Sequence, residues 1–235
     1  MSYVNKIVSS SGTEYDFVNA FSSELVAAGN GRIRLISSED ENNTICRIFS
    51  IDNKYTLKMI RGRENNYTIN SYSFRLLKNE TQFCDYSKIY AQYASGPDSQ
   101  TTRVFPFIVI SNEDLLFIAI GSYFESAYPQ AHFVINNENI ILYNNNKDGI
   151  IANSTCKDTV TMTEYSVKSR FNDYAMPTSN VDMMDNAVIV NPNTNIKQAE
   201  IKGLYNCTRM PALGIIYTIG DEQYYGADPI FLIKI

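Results

Sequence analysis

The residues able to do chemistry in this sequence are few and scattered. There is one histidine, His132, in AYPQAHFVIN. A catalytic zinc needs about three protein ligands, drawn largely from histidine, so a single His points away from such a centre. A Cys–His nucleophilic pair needs only proximity in the fold. Yet none of Cys46, Cys84, Cys156 and Cys207 stands in a nucleophile-elbow setting. His132 reads as a strand residue at a sheet edge or a subunit contact. The four cysteines form no C-x-x-C pair, and they read as small buried apolar residues in preference to disulfides.

Paired carboxylates would serve a glycosidase. The candidates are Glu113/Asp114, Glu125, Glu164 and Asp221/Glu222. The two adjacent pairs look like turn residues between strands. Gly29-Asn30-Gly31 is the nearest approach to a phosphate loop, but a strand pattern follows it. A phosphate site needs a helix N-terminus there, so this glycine pair reads as a helix end. DENN and NNNKDG are oxygen-rich turns that lack the spacing of a calcium loop. The expectation is a chain with no catalytic residue, no cofactor and no metal.

The positive signal is aromatic. Seventeen tyrosines accompany no tryptophan. A tyrosine offers a rigid apolar body and one hydroxyl, which suits protein contacts and sugar stacking. A codon bias towards Asn, Ile, Lys and Tyr accounts for the same excess. The expected contact residues are Tyr90, Tyr93, Tyr123, Tyr128, Met183, Met184, Tyr224 and Tyr225.

Bulk composition narrows the partners. Net charge is −5 and charged residues make up only 19% of the 235. Nucleic-acid binding rests on phosphate neutralisation, and a membrane patch rests on clustered Lys and Arg; this chain is built for neither. The longest apolar run, 104–120, is interrupted by Pro106, Asn112, Glu113 and Asp114, too short and charged to span a bilayer. MSYVNKIVSSSGTEYDF has no apolar signal core, so the expected origin is cytoplasmic synthesis without export. Sequons at Asn42, Asn66, Asn79, Asn153 and Asn206 match chance in so Asn-, Ser- and Thr-rich a chain.

The elements that must carry these residues are mostly strands. One helix is expected over 13–28: Thr13 caps it, Asp16 completes a capping box, Phe17, Phe21 and Leu25 share a face, and Gly29 ends it. The period then becomes two. GRIRLIS, TICRIFSI, KYTLKMIRG and YTINSYSFRLL read as successive strands, with Asp52-Asn53 as a hairpin turn. Residues 79–102 read as a short helix or coil followed by a loop. RVFPFIVI, DLLFIAIGSYF, QAHFVIN and NIILYN resume strand character, with a hairpin at Asn136-Asn137-Glu138. TVTMTEYSVK alternates, but most of 144–200 is loop-rich or irregular. IKQAEIKGLY, LGIIYTIG and PIFLIKI close the pattern, with a turn at Gly220-Asp221-Glu222 and a last strand begun by Pro229.

The expected fold class is α+β and mainly antiparallel β. An N-terminal helix packs on a β-meander, and further hairpins follow in a sandwich- or barrel-like arrangement. Residues 1–80 would form the first unit and 81–235 a second, with an irregular insertion over about 144–195; a single domain is the alternative.

AEIKGLYNCTRMPALGIIYTIGDEQYYGADPIFLIKI resembles the C-terminal pattern of small structural proteins of tailed bacteriophages, from the tail, baseplate or head–tail region. The shared features are a strand ending Gly203-Leu204-Tyr205, a Pro- and Gly-containing link, a Tyr-Thr-Ile-Gly hairpin turning into Tyr224-Tyr225, and a final apolar strand. The helix leading into a meander is similar to such proteins, as is LLFIAIGSYFESAYPQAHFVIN. The pattern covers about half the chain and leaves 144–200 unmatched. The resemblance implies a non-enzymatic virion protein, made in the host cytoplasm. It would associate with itself, as a ring, and with other virion proteins, without binding nucleic acid directly or inserting into a membrane. Two other readings are a carbohydrate-binding or host-recognition module using Tyr123 or Tyr128, and a cell-wall or polysaccharide hydrolase.

Overall fold

The structure, a computed structural model, describes residues 1–10, 12–41, 44–61, 71–90, 92–93, 103–123, 126–144, 154–168, 183–207, 215–228 and 231–235. A first strand, β1 (Ser2–Ser10), precedes the helix α1 (Glu14–Ala28). The meander is β2 (Ile33–Glu41), β3 (Thr44–Ile51), β4 (Tyr55–Arg61), β5 (Ser71–Lys78) and β6 (Thr81–Tyr90). Next come β7 (Gln92–Tyr93), β8 (Arg103–Ser111), β9 (Leu115–Tyr123), β10 (Ser126–Asn136) and β11 (Ile140–Asn144). The remainder is β12 (Ser154–Asp158), β13 (Glu164–Lys168), β14 (Met183–Val190), β15 (Lys197–Cys207), β16 (Ile216–Ile219), β17 (Glu222–Asp228) and β18 (Phe231–Lys234).

Every strand pairing is antiparallel. β2 to β6 form one five-stranded sheet in chain order. The others form one long sheet, ordered β1-β8-β9-β10-β11-β12-β13-β14-β15-β18-β17-β16, with β7 also beside β8. This is the mainly antiparallel, sandwich-like α+β class that the residue patterns indicate.

The helix forms as its sequence dictates. Thr13 Oγ1 accepts from the Asp16 N–H at 3.2 Å, and the Asp16 carboxylate accepts from the Thr13 N–H at 2.7 Å. Phe17, Val18, Phe21, Leu25 and Ala28 are buried on one face. Its end differs in detail from the expectation. Gly29 stays right-handed at φ −69, and the left-handed positions are Asn30 (φ 48) and Gly31 (φ 83). Gly29 is required by packing, since a Cβ there would lie 2.5 Å from Ile33 Cγ1.

Alternation explains the layers. Along β8, Phe105, Phe107 and Val109 join one core while Ile110 joins another. Along β9, Leu116, Ile118 and Ile120 face the first core, and Leu115, Phe117 and Ala119 the second. The first core lies between this middle layer, α1 and the five-stranded sheet, through Ile33, Phe49, Leu57, Met59, Phe74 and others. The second lies between the middle layer and the later strands of the same long sheet, through Ile189, Ile201, Leu204, Tyr225, Phe231 and Ile233. The long sheet therefore folds back over itself. A strand buried on both faces must be apolar at nearly every position, which is why LLFIAI and HFVI run unbroken.

Several sequence expectations change. Residues 81–90 are strand β6, not helix or coil. The two-residue turn Asn79-Glu80, with φ 47 and 66, folds them back onto β5, and Phe83, Cys84 and Ile89 supply the buried side. The loop-rich stretch 144–200 contains β12, β13 and β14 as sheet members. β1 pairs along its whole length with β8, so the first strand of the chain belongs to the long sheet while α1 leads into the other. The Asp52-Asn53 turn is as expected, with φ 52 and 54 and a Lys54 N–H to Ile51 O bond of 3.0 Å. The Gly220 turn also forms, with φ 62. Pro229 lies outside the described residues. The strand after it is internal: β18 is flanked by β15 and β17.

Candidate functional site

Among the described residues the richest polar constellation surrounds Arg32. Its Nε and Nη2 donate to the two Asp52 carboxylate oxygens at 2.8 and 2.6 Å. Nη1 donates to the main-chain oxygens of Leu115 (2.8 Å) and Asn112 (3.1 Å), and Nη2 reaches Asn137 Oδ1 at 3.3 Å. The planar guanidinium suits such forked bonding. Its partners come from the β3–β4, β8–β9 and β10–β11 turns, so Arg32 ties the five-stranded sheet to the middle layer.

The neighbouring asparagines act on their own turns. Asn112 Oδ1 accepts from the Asp114 and Leu115 N–H groups at 3.0 and 2.9 Å, and its amide donates to Lys234 O at 3.2 Å. Asn136 Oδ1 accepts from Glu138 and Ile140 N–H. Side-chain oxygens that mimic backbone acceptors are a common use of Asn in turns. Two buried arginines do similar work under the helix. Arg47 donates to Asp40 (2.5 Å) and Asn19 (2.9 Å), and Arg61 donates to Glu14.

The sequence candidates for chemistry separate in the fold. His132 is 1% exposed, opposite Ala119 in the middle layer and 6.3 Å from the Phe117 ring. Its strand placement is as expected, but it is interior and not at a sheet edge. Cys46, Cys84 and Cys156 are buried; the Cys207 side chain lies outside the described residues. Burial pushes the Cys156 thiol up to about 12, away from the thiolate needed for nucleophilic work. Glu113-Asp114 and Asp221 occupy turns, and Glu222 begins β17 opposite Ile219. The Glu222 carboxylate is held by Lys234 and by the Tyr224 hydroxyl, and hydrogen bonds from Lys234 and then Tyr224 lower its pKa. Glu164 pairs with Lys157 at 3.1 Å. Glu125 lies outside the described residues. Among the described residues no group of three or more His, Cys, Asp or Glu is placed to hold a metal ion, and no helix is long and apolar enough to cross a membrane.

The eight expected contact residues fall into two sets. Tyr224 and Tyr225 are interior, at 2% and 1% exposed. Tyr225 packs against Phe117 (ring centroids 5.8 Å) and Tyr3 (6.0 Å), and Tyr224 against Tyr205 (5.7 Å). Burial raises both phenol pKa values. They are core residues because β17 is an inner strand of a folded-back sheet with a packed core on each face, which the dipeptide alone did not reveal. For the other six the backbone is placed but the side chains lie outside the described set. Tyr90 ends β6 opposite Ser71, and Tyr93 in β7 pairs with Arg103. The irregular register brings Tyr123 and Tyr128 to one end of the β9–β10 hairpin. Met183 begins β14 opposite Cys207, and Met184 follows it.

Sequence reasoning missed the sheet edges. β1 and β16 end the long sheet and β2 begins the five-stranded one. Each carries exposed aliphatic surface: Ile7 at 58%, Leu35 and Ile36 at 43% and 59%, and Ile216 at 42%. The signal was present in the apolar letters of KIV, RLIS and GIIY, but which strands would be outermost depends on pairings distant in sequence. Comparison of the chain with protein-family models, curated proteins and solved structures finds no match.

Proposed function

We propose that this chain is a non-enzymatic assembly protein, working through protein–protein contacts as a structural component of a tailed-bacteriophage virion. The observation that carries the assembly reading is the exposed aliphatic surface on β1, β2 and β16. An edge strand presents unpaired backbone donors and acceptors, and apolar side chains there favour association. The layered body supports it: both faces of the middle layer are consumed in cores, which leaves edges and turns for partners. The virion assignment rests on the C-terminal strand and hairpin pattern, Gly203-Leu204-Tyr205 through Tyr224-Tyr225.

The test is co-fractionation. Particles from a producing culture are banded on a density gradient and their proteins quantified by mass spectrometry. The chain should band with particles at a fixed copy ratio to the other structural proteins. Recovery only in the unbanded soluble fraction refutes the virion role.

A further inference from the structure

We propose that the two outer edges of the long sheet are complementary between copies: β16 of one copy pairs with β1 of the next, so the sheet continues from molecule to molecule. This rests on the assembly reading above and names the partner as a second copy of this chain.

The argument begins with hydrogen-bond phase. Gly226 N–H donates to Ile215 O at 3.0 Å, and the β16–β17 register pairs Tyr217 with Tyr224 and Ile219 with Glu222. In an antiparallel ladder bonded and non-bonded pairs alternate, so residues 215, 217 and 219 turn their backbone groups towards β17. Ile216 and Thr218 turn theirs outward, and among the described residues no strand pairs with that edge. The row Ile216–Ile219 bears no charge, no proline and no register shift. Of the nearby charges, Glu222 and Lys234 are spent on each other, and Asp221 lies in the turn beyond the end of the row.

The occupant must be an extended, largely uncharged strand, and this chain has one. β1 runs nine residues in unbroken register with β8. Its single charge, Lys6, is held by Glu24 at 2.6 Å. Ile7 stands 58% exposed beside an edge that no described strand occupies. β2 is unsuited: a register shift at Leu35/Ser37 distorts its line, and Glu39, Asp40 and Glu41 crowd its far end. Bulges and charges are how edge strands resist pairing. A β16-to-β1 contact uses different patches on the two partners, so a pair of copies retains one free β1 edge and one free β16 edge, and the contact closes a ring or propagates. A four-residue strand buries less than the roughly 800 Å² per partner of a standing complex. The association is therefore weak and concentration-dependent.

The experiment is sedimentation velocity on the full chain across about a hundred-fold range of concentration, with two variants. Thr218→Pro deletes an outward N–H and no inward one, and proline is tolerated on an edge. Ile7→Lys places a free charge on β1. Circular dichroism and the thermal midpoint check folding, and Ile216→Lys replaces Thr218→Pro if that variant unfolds. The wild type should associate with rising concentration and each variant should remain monomeric. Their equimolar mixture should regain a dimer and nothing larger, because one intact β1 meets one intact β16. A wild type monomeric throughout overturns the proposal, as does undiminished association of Thr218→Pro, or a mixture that stays monomeric. Those results leave untouched the question of whether the chain bands with particles.

Discussion

Replacing Phe105 by alanine tests the layered architecture most directly. Phe105 is fully buried in β8, and its ring meets four others: Phe21 at 5.3 Å, Tyr72 at 5.4 Å, and Phe17 and Phe74 each at 6.0 Å. Truncating a buried Phe costs about 3–5 kcal/mol through lost transfer energy and the cavity left behind. Four aromatic neighbours at favourable separations place this site at the upper end, about 4–5 kcal/mol. That is a large share of a total stability of roughly 5–15 kcal/mol. Phe105→Leu keeps most of the volume and should cost about 1.5 kcal/mol. The assay is equilibrium urea unfolding, followed by tyrosine fluorescence and circular dichroism because the chain has no tryptophan. Phe117→Ala, on the opposite face of the same layer, is the companion variant. If the middle layer couples the two cores, each variant moves one common transition without changing its slope. A cost below about 2 kcal/mol for Phe105→Ala would show that the aromatic cluster is not packed as described. A split transition, with one half unmoved, would refute the coupling.

Three other outcomes follow from local geometry. Gly203→Ala should destabilise by about 2 kcal/mol or more in the same assay, because φ is 78 and the new Cβ would sit 2.9 Å from Asp114 Cβ; a change within error would remove the close approach of β15 to the β8–β9 turn. Glu80→Gly should raise stability by about 0.5–1 kcal/mol, since Glu80 holds φ 66 in a two-residue turn that glycine adopts freely; a loss of stability would contradict that turn. Thr13→Ala should cost about 1 kcal/mol at neutral pH. Hydrogen bonds from the Thr13 side chain, then its backbone, hold the Asp16 carboxyl below its usual value. A depressed carboxylate contributes fully above its unfolded value of about 3.9 and loses its contribution as pH falls through the folded one. The gap between wild type and Thr13→Ala should therefore narrow in acid, and a gap that widens below pH ~4 would reverse the assignment.

Much of the local structure was legible because local chemistry decides it. The capping box at Thr13 and Asp16 and the left-handed pair Asp52-Asn53 depend on residues within a few positions of each other, and the strands carrying Val109, Ile118 and Phe133 announce themselves by composition. Other features depend on partners far away. β6 was hidden because Gln82, Asp85 and Lys88 break its apolar run, and only the turn at Asn79-Glu80 specifies its return. Arg47 shares a face with Ile45 and Phe49, and its place inside becomes sensible only when Asn19 and Asp40 are brought to it. Tyr224 and Tyr225 looked like surface residues because an isolated hairpin would expose one of them. The double burial of β8 to β11 had a readable sign, the uninterrupted runs LLFIAI and HFVI, which alternation with one wet face would not produce. The outermost strands carried exposed apolar letters but nothing that marked them as outermost, since edge position is a property of the whole sheet order.

The pairing of β1 with β8 has a consequence for how the chain is made. Ser2 lies opposite Ser111 and Ser10 opposite Arg103, partners separated by about a hundred residues, a span that slows folding through the entropy of closing it. During synthesis β1 and α1 emerge before the middle layer they pack against. The meander can fold meanwhile, because β2 to β6 pair in the order they appear. Phe17 and Phe21 can meet Tyr72 and Phe74 of the meander, but their packing against Phe105 and Phe107, and that of Val8, must wait for β8. A nascent chain stalled before residue 103 would leave Val8 and the β8-facing side of that aromatic cluster open to solvent, which makes it the surface a chaperone would hold until β8 arrives.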